Sequence, residues 1–300
     1  MTRRNTPRLC FIGFGEAGQA LASGLREAGV ESIAAWDILF PQSGGLPLRQ
    51  AGEALGVRLA GSAAEAVRGS DMIISAVTAA SSLDAAHSVK PHLAGNPFYL
   101  DINSVSPGRK QETARALDGA ARYVDVAVMA PVHPARHQTA MLLAGAHAQA
   151  IEPILKDLAM RVSVAGPEVG AAAAIKMVRS VMVKGMEALT YECFVAAARA
   201  GVTDAVIGSL TKSFPGFDWP QAIAYNLERM ASHGIRRAAE MEEVADTLRE
   251  LGVEPLMATA TVARQRRMGE LGKEDNVRGA LKRDYTTVLD AVRTAARDAN

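Results

Sequence analysis

The chain has 300 residues, with Lys+Arg 33 against Asp+Glu 32 and a formal charge of +1, so no bulk field draws it to nucleic acid or to an anionic membrane. Hydrophobic residues at 49% and charged residues at 22% are ordinary globular proportions and exclude a disordered profile. Two cysteines, Cys10 and Cys193, exclude a disulfide framework and point to a reducing, cytoplasmic compartment. The opening MTRRNTPRLC has charge but no apolar stretch before a cleavage site, so no signal peptide is expected. Nor is there a run of about 20 apolar residues free of charge, which excludes an ordinary membrane span.

Taken in chain order, RLCFIGF (8–14) is an apolar run that breaks at glycine, and AGQALASGLREAG (17–29) carries apolar residues at helical spacing as far as Gly29. SIAAWD (32–37) is the next short run, followed by a Pro/Gly loop at 41–47. DMIISAV (71–77), PFYLDIN (97–103), RYVDVAV (122–128), AMLLAG (140–145) and RVSVAG (161–166) follow, mostly separated by helix-like segments. Short apolar runs bounded by Gly, Asp or Pro and spaced by helices predict strands of a mostly parallel sheet buried on both faces. This is the pattern of an α/β, doubly wound Rossmann domain.

After Gly166 the texture changes. Gly170 to Ala200 runs without proline and predicts a helix roughly 45 Å long at about 1.5 Å per residue. Apolar residues surround it almost completely, which predicts a buried helix. A loop with Phe214, Pro215, Phe217, Trp219 and Pro220 comes next, then helices over 221–251, about 255–270, and 277–298. No strand pattern follows Val164, so the expected division is a sheet domain over 1–166 and an all-α domain over 167–300.

Gly13-Phe14-Gly15-Glu16-Ala17-Gly18 is GxGxxG, set between a strand-like run and a helix-like run. Gly13 permits the tight turn, Gly15 lets backbone approach a pyrophosphate, and Gly18 lets the helix pack close to the sheet, with helix N–H groups facing the anion. Asp37 closes the second strand, where a carboxylate accepts the adenosine ribose hydroxyls and repels a 2′-phosphate. A nicotinamide dinucleotide is therefore the expected cofactor, with NAD favoured over NADP; nearby Arg49 is the one residue placed to fold over a phosphate. The expected cofactor contacts are Gly13 to Gly18, Asp37, Val77 and Thr78 after the run at 71–77, and Asn103 and Ser104 after the run at 97–103.

These residues resemble the β-hydroxyacid dehydrogenase superfamily, which includes 6-phosphogluconate and 3-hydroxyisobutyrate dehydrogenases, and within it a divergent branch with an atypical C-terminal domain. Besides GFGEAG, three segments carry the resemblance. Asp101 to Pro107 (DINSVSP) is similar to the family's D-x-[ST]-[ST]-x-[ST]-P segment, which lies beside the nicotinamide and makes Ser104 the functional choice. Ser106-Pro107 also reads simply as a helix start, with a serine cap and proline in the first turn. Gly170 to Ser180 is similar to the family's G-x5-K-x3-N helix. The resemblance implies that Lys176 is the general acid or base at the reacting hydroxyl, with Ser180 where the family has asparagine. Burial beside a cationic ring lowers a lysine's pKa toward neutrality. The plainer alternative is a lysine whose head reaches water, and Arg179 and Lys184 are rival polar groups on the same helix.

The third segment, Asp125 to His133 (DVAVMAPVH), aligns with the family's D-A-P-V-S-G-G, but Met129-Ala130-Pro131 replaces the Ser-Gly-Gly that cradles a substrate carboxylate. Loss of a hydroxyl, two glycines and a backbone donor implies a bulkier or less anionic small-molecule substrate, met by Ser104, Met129, Ala130, Pro131 and His133. Arg136 and His137 are further loop groups with a plain solvated reading. The resemblance also implies a homodimer built on the long helix, a nucleotide-binding role for 1–166, and a substrate and dimerisation role for 167–300.

Other signals are weak. His133-x3-His137 suits metal only on a helix, and Pro134 argues for loop, so no metal site is expected. His233, Arg236 and Arg237 read as a solvated basic turn, the aromatics at 214–219 as core or interface, and both cysteines as small core residues. The resulting expectation is an NAD-dependent oxidoreductase moving hydride between a hydroxy acid or related alcohol and nicotinamide. The alternatives are an imine reductase of the same superfamily and a dinucleotide-binding protein without chemistry.

Overall fold

The protein is described here by a computed structural model covering residues 6–298. Its chain divides into two units, Met1–Lys176 and Met177–Asn300. In the first unit the elements are β1 (Leu9–Ile12), α1 (Glu16–Glu27), β2 (Ile33–Trp36), α2 (Leu46–Ala54), β3 (Arg58–Leu59), α3 (Ala63–Val67), β4 (Met72–Ser75), α4 (Ser82–Val89), β5 (Phe98–Asp101), α5 (Pro107–Ala116), β6 (Arg122–Val128), β7 (Met141–Ala144), α6 (Ala148–Asp157) and β8 (Val162–Gly166). The sheet order is β3-β2-β1-β4-β5-β6-β7-β8. All neighbours are parallel except β6 and β7.

The apolar runs form strands because both faces of this sheet are covered. Successive side chains alternate sides. Phe11, Ile74, Leu100 and Val124 pack with Leu21 and Leu25 of α1 and Ile151 of α6. Cys10, Ile73 and Tyr99 pack with Ala66 of α3 and Val89 of α4 on the opposite face. From β1 the chain runs outward through β2 and β3, and from β4 it runs the other way through β5. Beyond the carboxyl ends of β1 and β4 this reversal leaves the crevice in which doubly wound sheets hold ligands. The two-residue β3 gives too short a run to be seen in the sequence.

The second unit is helical throughout its described residues. The helix α7 (Ala171–Ala200) begins in the first unit and continues into it, followed by α8 (Thr203–Ser213), α9 (Trp219–Glu250), α10 (Leu256–Leu271), α11 (Asp275–Ala280) and α12 (Tyr285–Asp298). Its main core gathers Phe194, Leu227, Met230, Met268 and Val292.

Two expectations are corrected here. The segment 277–298 is not one helix: the chain turns after Ala280, with Lys282 at φ 70, and Asp284 caps the next helix by accepting the Thr287 N–H at 3.0 Å. Nor is α7 buried all round. Val178, Met182, Met186 and Leu189 are exposed, whereas the polar Lys184, Glu187 and Thr190 are buried. Composition counts apolar residues but not which face the neighbouring helices cover; here the polar seam is the covered one.

Candidate active site

The glycine turn has the geometry that its sequence demands. Gly13 stands at φ +89, and a Cβ there would lie 2.4 Å from the Ala76 carbonyl oxygen, inside any real contact. A Cβ on Gly18 would lie 2.7 Å from the Gly13 oxygen, so α1 packs hard against the turn. At Gly15 the same Cβ would meet nothing within 4 Å. That open side faces outward from the N-terminus of α1, where Gly15 as cap offers no side-chain acceptor to the first helical N–H groups. Unclaimed N–H groups at a helix start are a place for an anion such as a pyrophosphate. Glu16 is exposed in that first turn, Ala17 is half-buried, and Phe14 is fully buried with its ring edge-on to Phe11 and Phe40.

Asp37 immediately follows β2 and reaches back to this loop. Its Oδ2 accepts the Phe14 N–H at 2.7 Å, and its Oδ1 accepts the Leu39 N–H at 2.9 Å. Arg49, the rival for a phosphate, is turned onto the loop that follows, donating to the Phe40 carbonyl and to the Gln42 carbonyl at 3.3 Å.

At the ends of β4 and β5, Asn103 is spent on scaffolding. Its Oδ1 accepts the Val77 N–H at 2.7 Å, and its Nδ2 donates to Ser75 Oγ at 3.0 Å and Ser82 Oγ at 3.1 Å. Asn103 is thereby committed to holding the crevice wall, which leaves its neighbour Ser104 half-buried at the crevice. Thr78 is exposed on the same wall, bonded to Ser81.

Lys176 lies in the second turn of α7, and its Nζ donates to Ser104 Oγ at 2.6 Å. Two residues of separate segments, 72 positions apart, are brought into direct contact, and neither is deeply buried. A lysine beside a serine hydroxyl can pass a proton to an oxygen that takes the serine's place.

Beneath them lies a group that sequence reading missed. Asp101 and Asp125 are fully buried, and Lys110 between them is 1% exposed. Lys110 Nζ lies 3.1 Å from Asp101 Oδ1 and 3.6 Å from Asp125 Oδ1. Burial, partly offset by Lys110 and by two helix amides, raises the Asp125 carboxyl above its ordinary value. The surrounding GRKQET reads as a solvated helix; the one available signal was a carboxylate at the same place in two neighbouring apolar strands.

The segment after β6 keeps Met129 half-buried and Ala130, Pro131 and His133 exposed. The solvated reading of its two neighbours is corrected. Arg136 pairs with Glu27 at 2.5 Å and bonds Ser23 at 3.2 Å, and His137 is buried against α1.

In the second unit Ser180 is buried and accepts a 3.3 Å bond from Lys184, which is paired with Glu240 at 3.0 Å. Lys184 is thus committed, and Arg179 is exposed. The basic group at 233–237 is not a turn but the middle of α9. Arg237 is buried against Glu187, which also accepts a 2.7 Å bond from Gln265, and Arg236 pairs with Glu240. Trp219 packs among Phe194, Phe214 and Phe217. Among the described residues, no helix is long and apolar enough to cross a membrane.

Residues 8–166 match the family described as the NAD binding domain of 6-phosphogluconate dehydrogenase, and residues 197–268 match a domain of unknown function, DUF1932. A conserved hypothetical protein from Sinorhizobium meliloti 1021 superposes with a TM-score of 0.74 at 33% identity, covering 97% of each chain. The Mycobacterium tuberculosis 3-hydroxyisobutyrate dehydrogenase, solved with L-serine, has a TM-score of 0.73 at 17% identity over 96% of this chain and 99% of that one, a likeness of fold. An NAD-dependent L-serine dehydrogenase of Pseudomonas aeruginosa is 25% identical over 224 residues, 71% of each protein.

Proposed function

Because this chain belongs to the family of the 6-phosphogluconate dehydrogenase NAD-binding domain, we propose that it oxidises the alcohol of a hydroxylated small molecule, a hydroxy acid or related compound, with NAD and with Lys176 as general acid and base. The observation that carries this reading is the 2.6 Å contact between Lys176 Nζ and Ser104 Oγ beyond the carboxyl end of β5. The dinucleotide supplies the hydride acceptor when bound. The open side of Gly15, the uncapped amides of α1 and the carboxylate of Asp37 fit its pyrophosphate and ribose. This chain's residues do the rest. Ser104 orients the substrate hydroxyl, and Lys176 takes its proton as the alcohol becomes a carbonyl, or returns it in the reverse direction. The family resemblance assigns the role of a second orienting hydroxyl to Ser180, which is four residues after Lys176 on the same helix.

NAD is favoured over NADP by two arrangements. Asp37 sets a negative charge at the ribose position, and Arg49, the only Lys or Arg between positions 38 and 57, is tied to loop carbonyls. Met129, Ala130 and Pro131 leave the substrate side without a carboxylate cradle, which favours a substrate bulkier or less anionic than a small hydroxy acid, with His133 as its polar contact. The exposed apolar residues Val178, Met182, Met186 and Leu189 form a helix face that a second copy covers in a homodimer. The two unpaired cysteines favour a reducing, cytoplasmic compartment.

The test is NADH formation across hydroxy acids, polyols and aryl alcohols, with reduction of imines as the comparison. Lys176→Ala is expected to lower kcat by about 100-fold or more. Full activity in that variant sinks the assignment of Lys176. Thermal stabilisation by NAD with no turnover on any substrate would mark a binding protein.

A further inference from the structure

Asp101 and Asp125 are paired across β5 and β6, and Tyr99 and Tyr123 are paired one step earlier on the same face. Neighbouring strands lie about 4.8 Å apart, so the register itself sets two buried carboxylates side by side. Without a cation such a pair is strongly unfavourable. Lys110 comes in from α5 and, besides facing both carboxylates, donates to the main-chain carbonyl of Asp101 at 2.6 Å.

Each carboxylate also holds a piece of the proposed site. Asp101 Oδ1 accepts the N–H of Asn103 at 3.0 Å, immediately before Ser104, and its Oδ2 accepts the Tyr123 hydroxyl at 2.8 Å. Asp125 Oδ2 accepts the N–H groups of Gly170 and Ala173, both at 3.1 Å. It therefore caps α7 from a distant strand, three residues before Lys176. Gly170 is at φ +101, and a Cβ there would stand 3.0 Å from Pro107, so the starts of α5 and α7 press directly on each other. The chain of contacts is closed: Ser104, its loop, Asp101, Lys110, Asp125, the first turn of α7, Lys176 and back to Ser104.

We propose that Lys110 is a positioning residue for the Ser104–Lys176 pair, its ammonium holding Asp101 and Asp125 together so that the loop after β5 and the first turn of α7 keep one register. This rests on the reading of Lys176 as general acid and base, and it adds a residue that touches neither substrate nor cofactor. Three formal charges, two negative and one positive, leave the cluster short of one cation. Asp125 Oδ1 has no hydrogen-bond donor, so the Lys110 ammonium is what keeps that oxygen in place. Removing Lys110 lets the two carboxylates separate or take up a proton, and either change is passed through Asn103 and Ala173 to the catalytic pair.

The probe is acetic anhydride, applied to the full chain over a pH series, with acetylation of Lys176 read by peptide mass spectrometry. This readout does not require a known substrate. Lys110→Met is compared with Lys110→Met/Asp125→Asn, which removes an ammonium and a carboxylate together and keeps an acceptor for the α7 amides. Thermal melts establish folding, and NADH affinity by fluorescence titration reports on the glycine turn. In the variants, Lys176 acetylation at neutral pH is expected to change by about threefold or more, with NADH affinity within about twofold. If Lys110→Met does not fold, the double variant carries the comparison. A folded variant in which Lys176 reacts as in wild type at every pH overturns the proposal. Full wild-type turnover by Lys176→Ala would instead overturn the general acid and base reading, leaving the acetylation result intact.

Discussion

The imidazole of His137 lies so close to the backbone of Gly24 that a Cβ at residue 24 would fall 2.0 Å from its Nδ1 and 2.7 Å from its Cγ. Arg136, next to it, donates to Ser23 and Glu27 on the same helix. The connection between β6 and β7 is thus fastened to α1 by a steric fit and an ion pair at adjacent residues. It holds in place the segment that contains Met129 to His133.

Gly24→Ala tests the steric half of this fastening. Alanine gains about 1 kcal/mol of helix propensity over glycine, but forcing a methyl into a packed site costs about 1–3 kcal/mol and more where the neighbour is a ring. The net expectation is a destabilised protein, read as a lower urea midpoint with an unchanged slope. A midpoint equal to or above wild type would show that the ring moves aside freely.

The pH dependence of stability tests the burial of the His137 ring against α1. Burial, with the Arg136 charge beside it, lowers the His137 pKa below its ordinary 6.5, Glu27 opposing. A depressed histidine pKa means that the unfolded chain binds more protons in the window between the folded pKa and 6.5. Stability from this group is therefore complete above pH 6.5 and is lost as pH falls through the folded value. Urea midpoints measured from pH 8 to pH 5 should fall over that window, and His137→Gln should flatten that part of the profile. A profile unaffected by the substitution would assign the acid loss elsewhere.

Cofactor selectivity separates the roles of Asp37 and Arg49. Asp37→Ser removes the charge facing the ribose together with the acceptor of the Phe14 and Leu39 N–H groups. NADH affinity should fall by about tenfold or more, and the preference over NADPH should narrow. Arg49→Ala should change that preference by no more than about twofold, because its guanidinium serves carbonyls of its own loop. Fluorescence titration of both nucleotides decides this. A large loss of NADPH affinity in Arg49→Ala would show that the arginine leaves its loop for the phosphate.

The sheet domain was legible because its signals are local: apolar runs at 8–14, 71–77 and 97–103 sit between helix-like segments, and glycines at 13, 15 and 18 mark the turn. The candidate pair was legible in part. Lys176 interrupts an alanine-rich run and Ser104 follows a strand, but their contact joins segments that no local pattern relates. Lys110 was not legible, since its neighbours Gly108, Arg109, Gln111 and Glu112 describe a solvated helix and its burial depends on β6, which follows later in the chain. The same holds for Arg136 and His137, whose partners on α1 lie more than 100 residues earlier. On α7 the apolar count was correct and the covered face was not, because that face is chosen by α9 and α10. The turn at 281–284 hangs on a positive φ at a lysine, which composition does not announce.

The bond from the Phe14 N–H to Asp37 also bears on how this protein can change over evolutionary time. The carboxylate that would select the dinucleotide is the same one that braces the turn on which the dinucleotide would rest. A mutation at position 37 that admits a phosphate also loosens the loop that must receive it. Selectivity and loop integrity are therefore inherited as one trait, and a lineage exchanging one cofactor for the other would pass through a weakened form unless a second substitution first supplied another acceptor for Phe14.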